Sequence, residues 1–77
     1  MIIECPHCKE FIWIEQINCG IFRHGVLKTN MVQIHPHSPK ALCDYYVLHD
    51  KIIGCGKPFQ ITLNENNEFI VSICDYI

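Results

Sequence analysis

The chain has 77 residues, 49% of them apolar, and a formal net charge of −2 from six basic and eight acidic side chains. This apolar content excludes an intrinsically disordered chain, and no run of about 18 apolar residues is present that would cross a membrane. A chain this short buries only about 60% of the surface that it exposes when unfolded. We therefore expect one domain, residues 1–77, stabilised by a metal, disulfides or self-association.

The six cysteines are the first candidates for that stabilisation. In a secreted chain they would form three disulfides, in any of 15 connectivities. The start of the chain, residues 1–5, is too short and too soon interrupted for a signal peptide, so we expect a soluble intracellular protein. In a reducing compartment metal binding is the better use of these thiols.

The first metal-binding candidate is Cys5-Pro6-His7-Cys8. Two cysteines at this spacing suit a tight turn whose backbone N–H groups point at thiolate sulfur, as in zinc knuckles. The β-branched and aromatic residues 11–17 then predict a strand. A redox dithiol is the alternative, but it needs a preceding strand in a βαβ unit, and only four residues precede Cys5. The pattern favours zinc.

The middle of the chain is basic and its end is acidic. Residues 20–42 contain no Asp or Glu, whereas residues 60–77 contain no Lys or Arg. The candidate binding residues of the basic segment are Arg23, His24, Lys28, His35, His37 and Lys40. Histidines titrate near neutral pH and suit partner contacts, so this segment predicts a surface for a partner or a nucleic acid. The alternative is that the histidines only hydrogen-bond the backbone of a long loop.

After residue 25, local signals predict three elements in order: a strand at residues 26–34, a helix, and a hairpin. Ser38 as N-cap and Pro39 at the first helical position predict a helix over residues 39–48, which carries Cys43 in its early turns. Alternating apolar and polar side chains predict strands at residues 58–63 and 69–77, joined by a turn at residues 64–68. The last strand is apolar on both faces, so we expect a second copy of the chain to cover it.

The sequence predicts one zinc ion per chain, held by Cys5, Cys8, Cys43 and Cys55. Glycines on both sides of Cys55 suit a second knuckle, where backbone crowds the metal. Eleven residues separate Cys43 from Cys55, whereas an ordinary zinc ribbon has two, so Cys19 or His37 remains an alternative to Cys43. Cys74, and Cys19 if it is not a ligand, are expected to behave as small apolar residues.

Several motifs together resemble a family of short zinc-ribbon-like proteins encoded by large DNA viruses, including the marseillevirus group. The motifs are CPHC, NCGIFRHG, QIHPHSPK, Cys43 followed by Asp44, and GCGKPF. The resemblance covers almost the whole chain. It implies a non-enzymatic homodimer that acts beside transcription in the cytoplasm or nucleus of an infected cell, or that is carried in the virus particle.

The sequence thus predicts an α+β fold: a small, β-rich, zinc-ribbon-like domain with a C-terminal β-hairpin and one short helix. The predicted function is that of a zinc-stabilised, homodimeric interaction module working with host or viral transcription proteins, without enzymatic activity and without a membrane. The alternative is a zinc protein that binds nucleic acid directly through residues 20–42. With six basic side chains and a pI near 6.2, the chain as a whole is not basic, and only this segment carries the net positive charge that nucleic-acid binding needs.

Overall fold

The protein is described by a computed structural model, which defines residues 1–14, 17 and 19–77. Strands predominate in these residues, which contain one short helix, between the fourth and fifth strands. In chain order the elements are β1 (Ile2–Glu4), β2 (Phe11–Trp13), β3 (Ile21–Arg23), β4 (Val26–Leu27), α1 (Lys40–Leu48), β5 (Ile52–Ile53), β6 (Pro58–Leu63) and β7 (Phe69–Ile73). The predicted α+β class is confirmed.

The first two strands form an antiparallel hairpin in which Ile3 pairs with Ile12. Both of these side chains are buried, and their neighbours along each strand point to the solvent. The sequence does not predict β1, because three residues are too few to show an alternating pattern. Of the predicted strand at residues 11–17, the structure shows β2, and Glu15 and Gln16 lie outside the described residues.

The largest sheet has the strand order β3-β6-β7 and is antiparallel throughout. The predicted hairpin is confirmed as β6 and β7, although β7 ends at Ile73 and does not run on to residue 77. Phe22 of β3 lies directly opposite Phe59 of β6, with ring centroids 5.4 Å apart and an interplanar angle of 15°. This stacked pair anchors β3 to the hairpin across a long separation in sequence.

The predicted strand at residues 26–34 is instead a short hairpin. Its first part, β4, pairs with β5, and Val26 forms an isolated bridge to Gln33. Between them the chain turns, with the N–H of Met31 donating to the carbonyl of Leu27 at 2.8 Å. The turn-forming residues of the 28–30 segment interrupt the apolar pattern.

The helix is confirmed, but its predicted cap is wrong. Pro39 occupies the N-cap position, and no side chain caps the first turn. The Ser38 hydroxyl instead donates back to the carbonyl of His35 at 2.7 Å, so it cannot serve the helix. Within the described ranges no helix is long and apolar enough to span a bilayer.

Two clusters of buried side chains form the core. The first lies between the β1–β2 hairpin and the β3-β6-β7 sheet and consists of Ile3, Cys5, Ile12, Ile14, Phe22, Phe59 and Ile61. The second lies beneath the helix and consists of Ile34, Cys43 and Ile52, with Leu27, Tyr46 and Tyr76 packed against it. Cys5 and Cys43, both predicted ligands of one metal ion, thus belong to different clusters.

A buried arginine lies beside the second cluster. Arg23 is only 1% exposed; its Nε donates to the carbonyl of Ser38 at 3.0 Å and its Nη2 to that of Ile77 at 2.9 Å. The guanidinium also lies 5.1 Å from the centre of the Tyr76 ring. Burying a charge is costly, and these main-chain oxygens and the aromatic face offset part of that cost.

Candidate metal centre

The first two ligands come from the loop that joins β1 to β2. Cys5 follows β1 directly, and the N–H of Cys5 donates to the carbonyl of Glu10 at 2.8 Å, which closes the loop. Lys9 completes the turn with a φ of +67°, a left-handed conformation that reverses the chain after Cys8. This knuckle aims Sγ of Cys5 into the first core and leaves Cys8 as the most exposed ligand.

The third ligand, His24, is placed by strand pairing. It follows β3, and its N–H donates to the carbonyl of Lys57 at 3.1 Å, while its own carbonyl accepts from Gly56 at 2.7 Å. These two bonds extend the β3–β6 pairing past the end of β3. They hold the imidazole beside the segment that carries Cys55.

The fourth ligand lies in the second knuckle, between β5 and β6. Gly54 has a φ of +127°, and a Cβ at that position would lie 2.6 Å from the carbonyl oxygen of His24. Only glycine fits so close an approach. The backbone N–H of Lys57 lies near the sulfur of Cys55 and acts to lower its pKa, as expected for a knuckle that holds thiolate.

These four donor atoms all lie within 4.8 Å of one another. Sγ of Cys5 is 3.8 Å from Sγ of Cys55, and Nδ1 of His24 is 3.3 Å from Sγ of Cys8 and 3.4 Å from Sγ of Cys55. Bond lengths of about 2.3 Å to sulfur and about 2.0 Å to nitrogen put tetrahedral zinc ligands about 3.8 Å apart for two sulfurs and about 3.5 Å apart for sulfur and nitrogen. The donor set fits one metal ion of zinc's size and preferences.

The surroundings of Cys55 and His24 disfavour the charged forms of both side chains. Burial, reinforced by the neighbouring thiols of Cys5 and Cys8, raises the pKa of Cys55 to about 12, against a smaller lowering by the N–H of Lys57. Burial also lowers the pKa of His24, although the Glu10 carboxylate opposes that shift. His24 therefore presents a neutral imidazole to a metal, whereas Cys55 must release a proton to bind it.

His7 reinforces the site without being a ligand. Its Nε2 lies 2.7 Å from the carbonyl of Pro58, the first residue of β6. This contact joins the first knuckle to the strand that follows the second. It is a polar contact of the type that supports metal sites from outside the ligand set.

The predicted ligand Cys43 lies elsewhere, and His24 occupies the fourth position. Cys43 is in α1 and packs against Ile34 and Ile52, with its Sγ donating to the carbonyl of Ser38 at 3.7 Å. Burial raises the pKa of this thiol above its usual range. The structure brings together Cys5, Cys8 and Cys55 of the predicted set and adds His24, which the sequence predicts to be part of a partner surface.

The alternatives to Cys43 are also outside the site. The Sγ of Cys19 lies 3.7 Å from the carbonyl of Ile21, and Nδ1 of His37 lies 2.8 Å from the carbonyl of Ile77. Cys19 is exposed and does not behave as the buried apolar residue expected of it, whereas Cys74 is half-buried. None of the three belongs to the group of donors.

The six predicted binding residues do not form one open basic surface. Arg23 is buried, and His24 faces the cysteines. Lys28 forms an ion pair with Asp50 at 2.8 Å, and Lys40 forms one with Asp44 at 2.7 Å. His35 and His37 remain exposed and lie side by side, with the N–H of His37 donating to Nδ1 of His35.

Comparisons with protein-family models, curated proteins and solved structures found no match to this chain. The resemblance to viral zinc-ribbon-like proteins therefore stays a prediction from the motifs. What the site can do has to be inferred from its own geometry.

We expect His24→Ala to lose zinc and Cys43→Ala to keep it. The first change removes one of four close donors, whereas the second removes a thiol from a separate core cluster. Zinc per chain, measured by native mass spectrometry on both purified variants, distinguishes the two ligand sets. The reverse result would return Cys43 to the site and exclude His24.

Zinc affinity should fall as the pH is lowered. Cys55, with its raised pKa, is protonated at neutral pH and releases that proton when metal binds, which weakens binding about tenfold per pH unit for each proton released. The lowered pKa of His24 means that its imidazole competes with protons only at more acidic pH. Competition titrations against a chromophoric chelator at pH 8, 7 and 6 measure this slope, and a flat profile would contradict thiol ligation.

Proposed function

We propose that this chain is a non-enzymatic interaction module whose shape is stabilised by one zinc ion. The observation that carries the proposal is the donor set of three cysteines and one histidine with tetrahedral spacing. Four protein ligands fill the coordination shell of zinc, which is typical of structural sites, whereas catalytic sites keep a position for water. The ion's role is therefore to join the first knuckle to β3 and β6.

We further propose that the module is a homodimer formed through β7. This strand is an edge of its sheet, and it exposes the apolar side chains of Phe69, Ile70 and Ile73. Exposed edges of this kind pair readily with another strand, and a two-fold axis would bring two copies of β7 together. The like-charged Glu68 side chains would lie at opposite ends of such a pair.

Native mass spectrometry of the full chain tests both statements in one spectrum. We expect one zinc ion per chain and an even number of chains per particle. Ile70→Lys should give monomers that retain zinc, because a charge would then have to be buried at the edge, whereas Leu48→Lys on the exposed part of α1 should leave the dimer intact. Monomers in the unmodified protein would exclude the dimer, and the absence of zinc would exclude the structural metal.

The motifs that resemble viral zinc-ribbon-like proteins support a third proposal, that the module acts beside the transcription machinery of an infected cell. Affinity capture from infected-cell extract should recover polymerase subunits when the unmodified chain is the bait, and should not recover them with the His24→Ala variant. Capture that recovers no transcription protein would count against this role.

A further inference from the structure

A groove of about 660 Å³ separates β2 from β3. Its volume lies within the range of roughly 300–1,000 Å³ that is usual for binding sites. All residues of both strands line it, and the turn of the β4 hairpin contributes Met31 and Val32. The groove therefore has a strand edge on each of two sides.

On the β2 side of the groove, some backbone groups have no hydrogen-bond partner among the described residues. The N–H of Ile14 donates to the carbonyl of Met1 at 2.8 Å, so these two residues form a hydrogen-bonded pair. Hydrogen-bonded and non-hydrogen-bonded pairs alternate along antiparallel strands, so the next hydrogen-bonded pair is Ile12 with Ile3. The N–H and C=O groups of Phe11 and Trp13 consequently point away from β1.

On the β3 side of the groove, alternate backbone groups also point away from the paired strand. The N–H of His24 donates to the carbonyl of Lys57, so these two residues form a hydrogen-bonded pair. By the same alternation, the next hydrogen-bonded pair is Phe22 with Phe59 of β6. The N–H and C=O groups of Ile21 and Arg23 point away from β6. Across the described residues, no backbone hydrogen bond outside the strand pairs involves Phe11, Trp13, Ile21 or Arg23, and only the thiol of Cys19 approaches one of their carbonyls.

The lining of the groove specifies the side chains that it would accept. Phe11 is 77% exposed, and Trp13, Met31 and Val32 are also largely exposed. Among the described residues of the lining Glu10 is the only acidic one, and neither ion pair of the described chain includes it. An apolar occupant with a positive charge at the Glu10 end complements this surface.

We propose that the groove binds an extended peptide segment of a partner protein, added as a strand between β2 and β3. The segment is apolar at alternate positions and carries a lysine or arginine facing Glu10. Main-chain hydrogen bonds to the two edges supply affinity, and the apolar wall selects alternate side chains. This inference rests on the proposed function as an interaction module and names the chemistry of its partner.

The test uses the zinc-loaded, ¹⁵N-labelled chain and a synthetic peptide of alternating valine and threonine with a lysine at its first position. We expect the amide signals of Phe11, Trp13, Ile21 and Arg23 to shift on titration. The fluorescence of Trp13, the single tryptophan, should move to shorter wavelength as its ring leaves water.

Matched variants separate strand addition from simple apolar binding. Methylating alternate backbone nitrogens of the peptide should weaken binding at least about tenfold, because it removes the donors that a strand needs. Phe11→Lys should abolish binding, whereas Ile2→Lys, on the same hairpin and 64% exposed but not in the lining, should not. Glu10→Lys should prefer a peptide whose lysine is replaced by glutamate.

Equal binding of the methylated peptide would overturn the proposal in favour of a site for small apolar molecules. Signal shifts confined to β7 would overturn it in favour of the other sheet edge, and no binding at millimolar peptide would exclude a peptide site altogether. Zinc content is measured on the same samples. A chain that lacks zinc contradicts the proposed function, whereas a zinc-loaded chain that ignores the peptide contradicts only this inference.

Discussion

The structure depends on four donor atoms that approach one another from three separate parts of the chain. Cys5 and Cys8 come from the β1–β2 loop, His24 from the end of β3, and Cys55 from the loop before β6. Burial, with a further contribution from the neighbouring thiols, raises the pKa of Cys55 and so disfavours its thiolate when no cation is present. A bound divalent ion would stabilise that thiolate, and the binding free energy of the metal would then become free energy of folding.

The metal site and the first core cluster are parts of one assembly. Cys5 is fully buried in that cluster, and Cys55 packs against it. Phe59, also fully buried, lies below the second knuckle and stacks on Phe22. A chain of this size has a marginal apolar core, and a bound ion would add a point of attachment between the β1–β2 hairpin and the β3-β6-β7 sheet. The second cluster, which contains Cys43, lies outside the donor group and is bordered by the buried Arg23 and its hydrogen bonds.

The features that could be predicted from the sequence are those encoded by neighbouring residues. Two cysteines with two residues between them, a cysteine between glycines, and the alternation in β6 are each patterns of a few positions, so the sequence predicts all three. His24 could not be found in this way, since it reaches the site only through the pairing of β3 with β6, more than 30 residues away. The signal was present in a weaker form: the long gap after Cys43 did not fit a ribbon, and His24 precedes a glycine.

Arg23, the last residue of β3, and His24, which follows it, point to opposite sides of the strand. The guanidinium of Arg23 is fixed by carbonyls near the second cluster, while the imidazole of His24 points at three sulfurs. Because side chains alternate along a strand, a shift of β3 by one position against β6 would exchange them. It would place the Arg23 guanidinium among the three sulfurs and remove the imidazole from the donor group. A metal ion that needs four donors would therefore bind only the correctly paired strands, and its binding would favour that register.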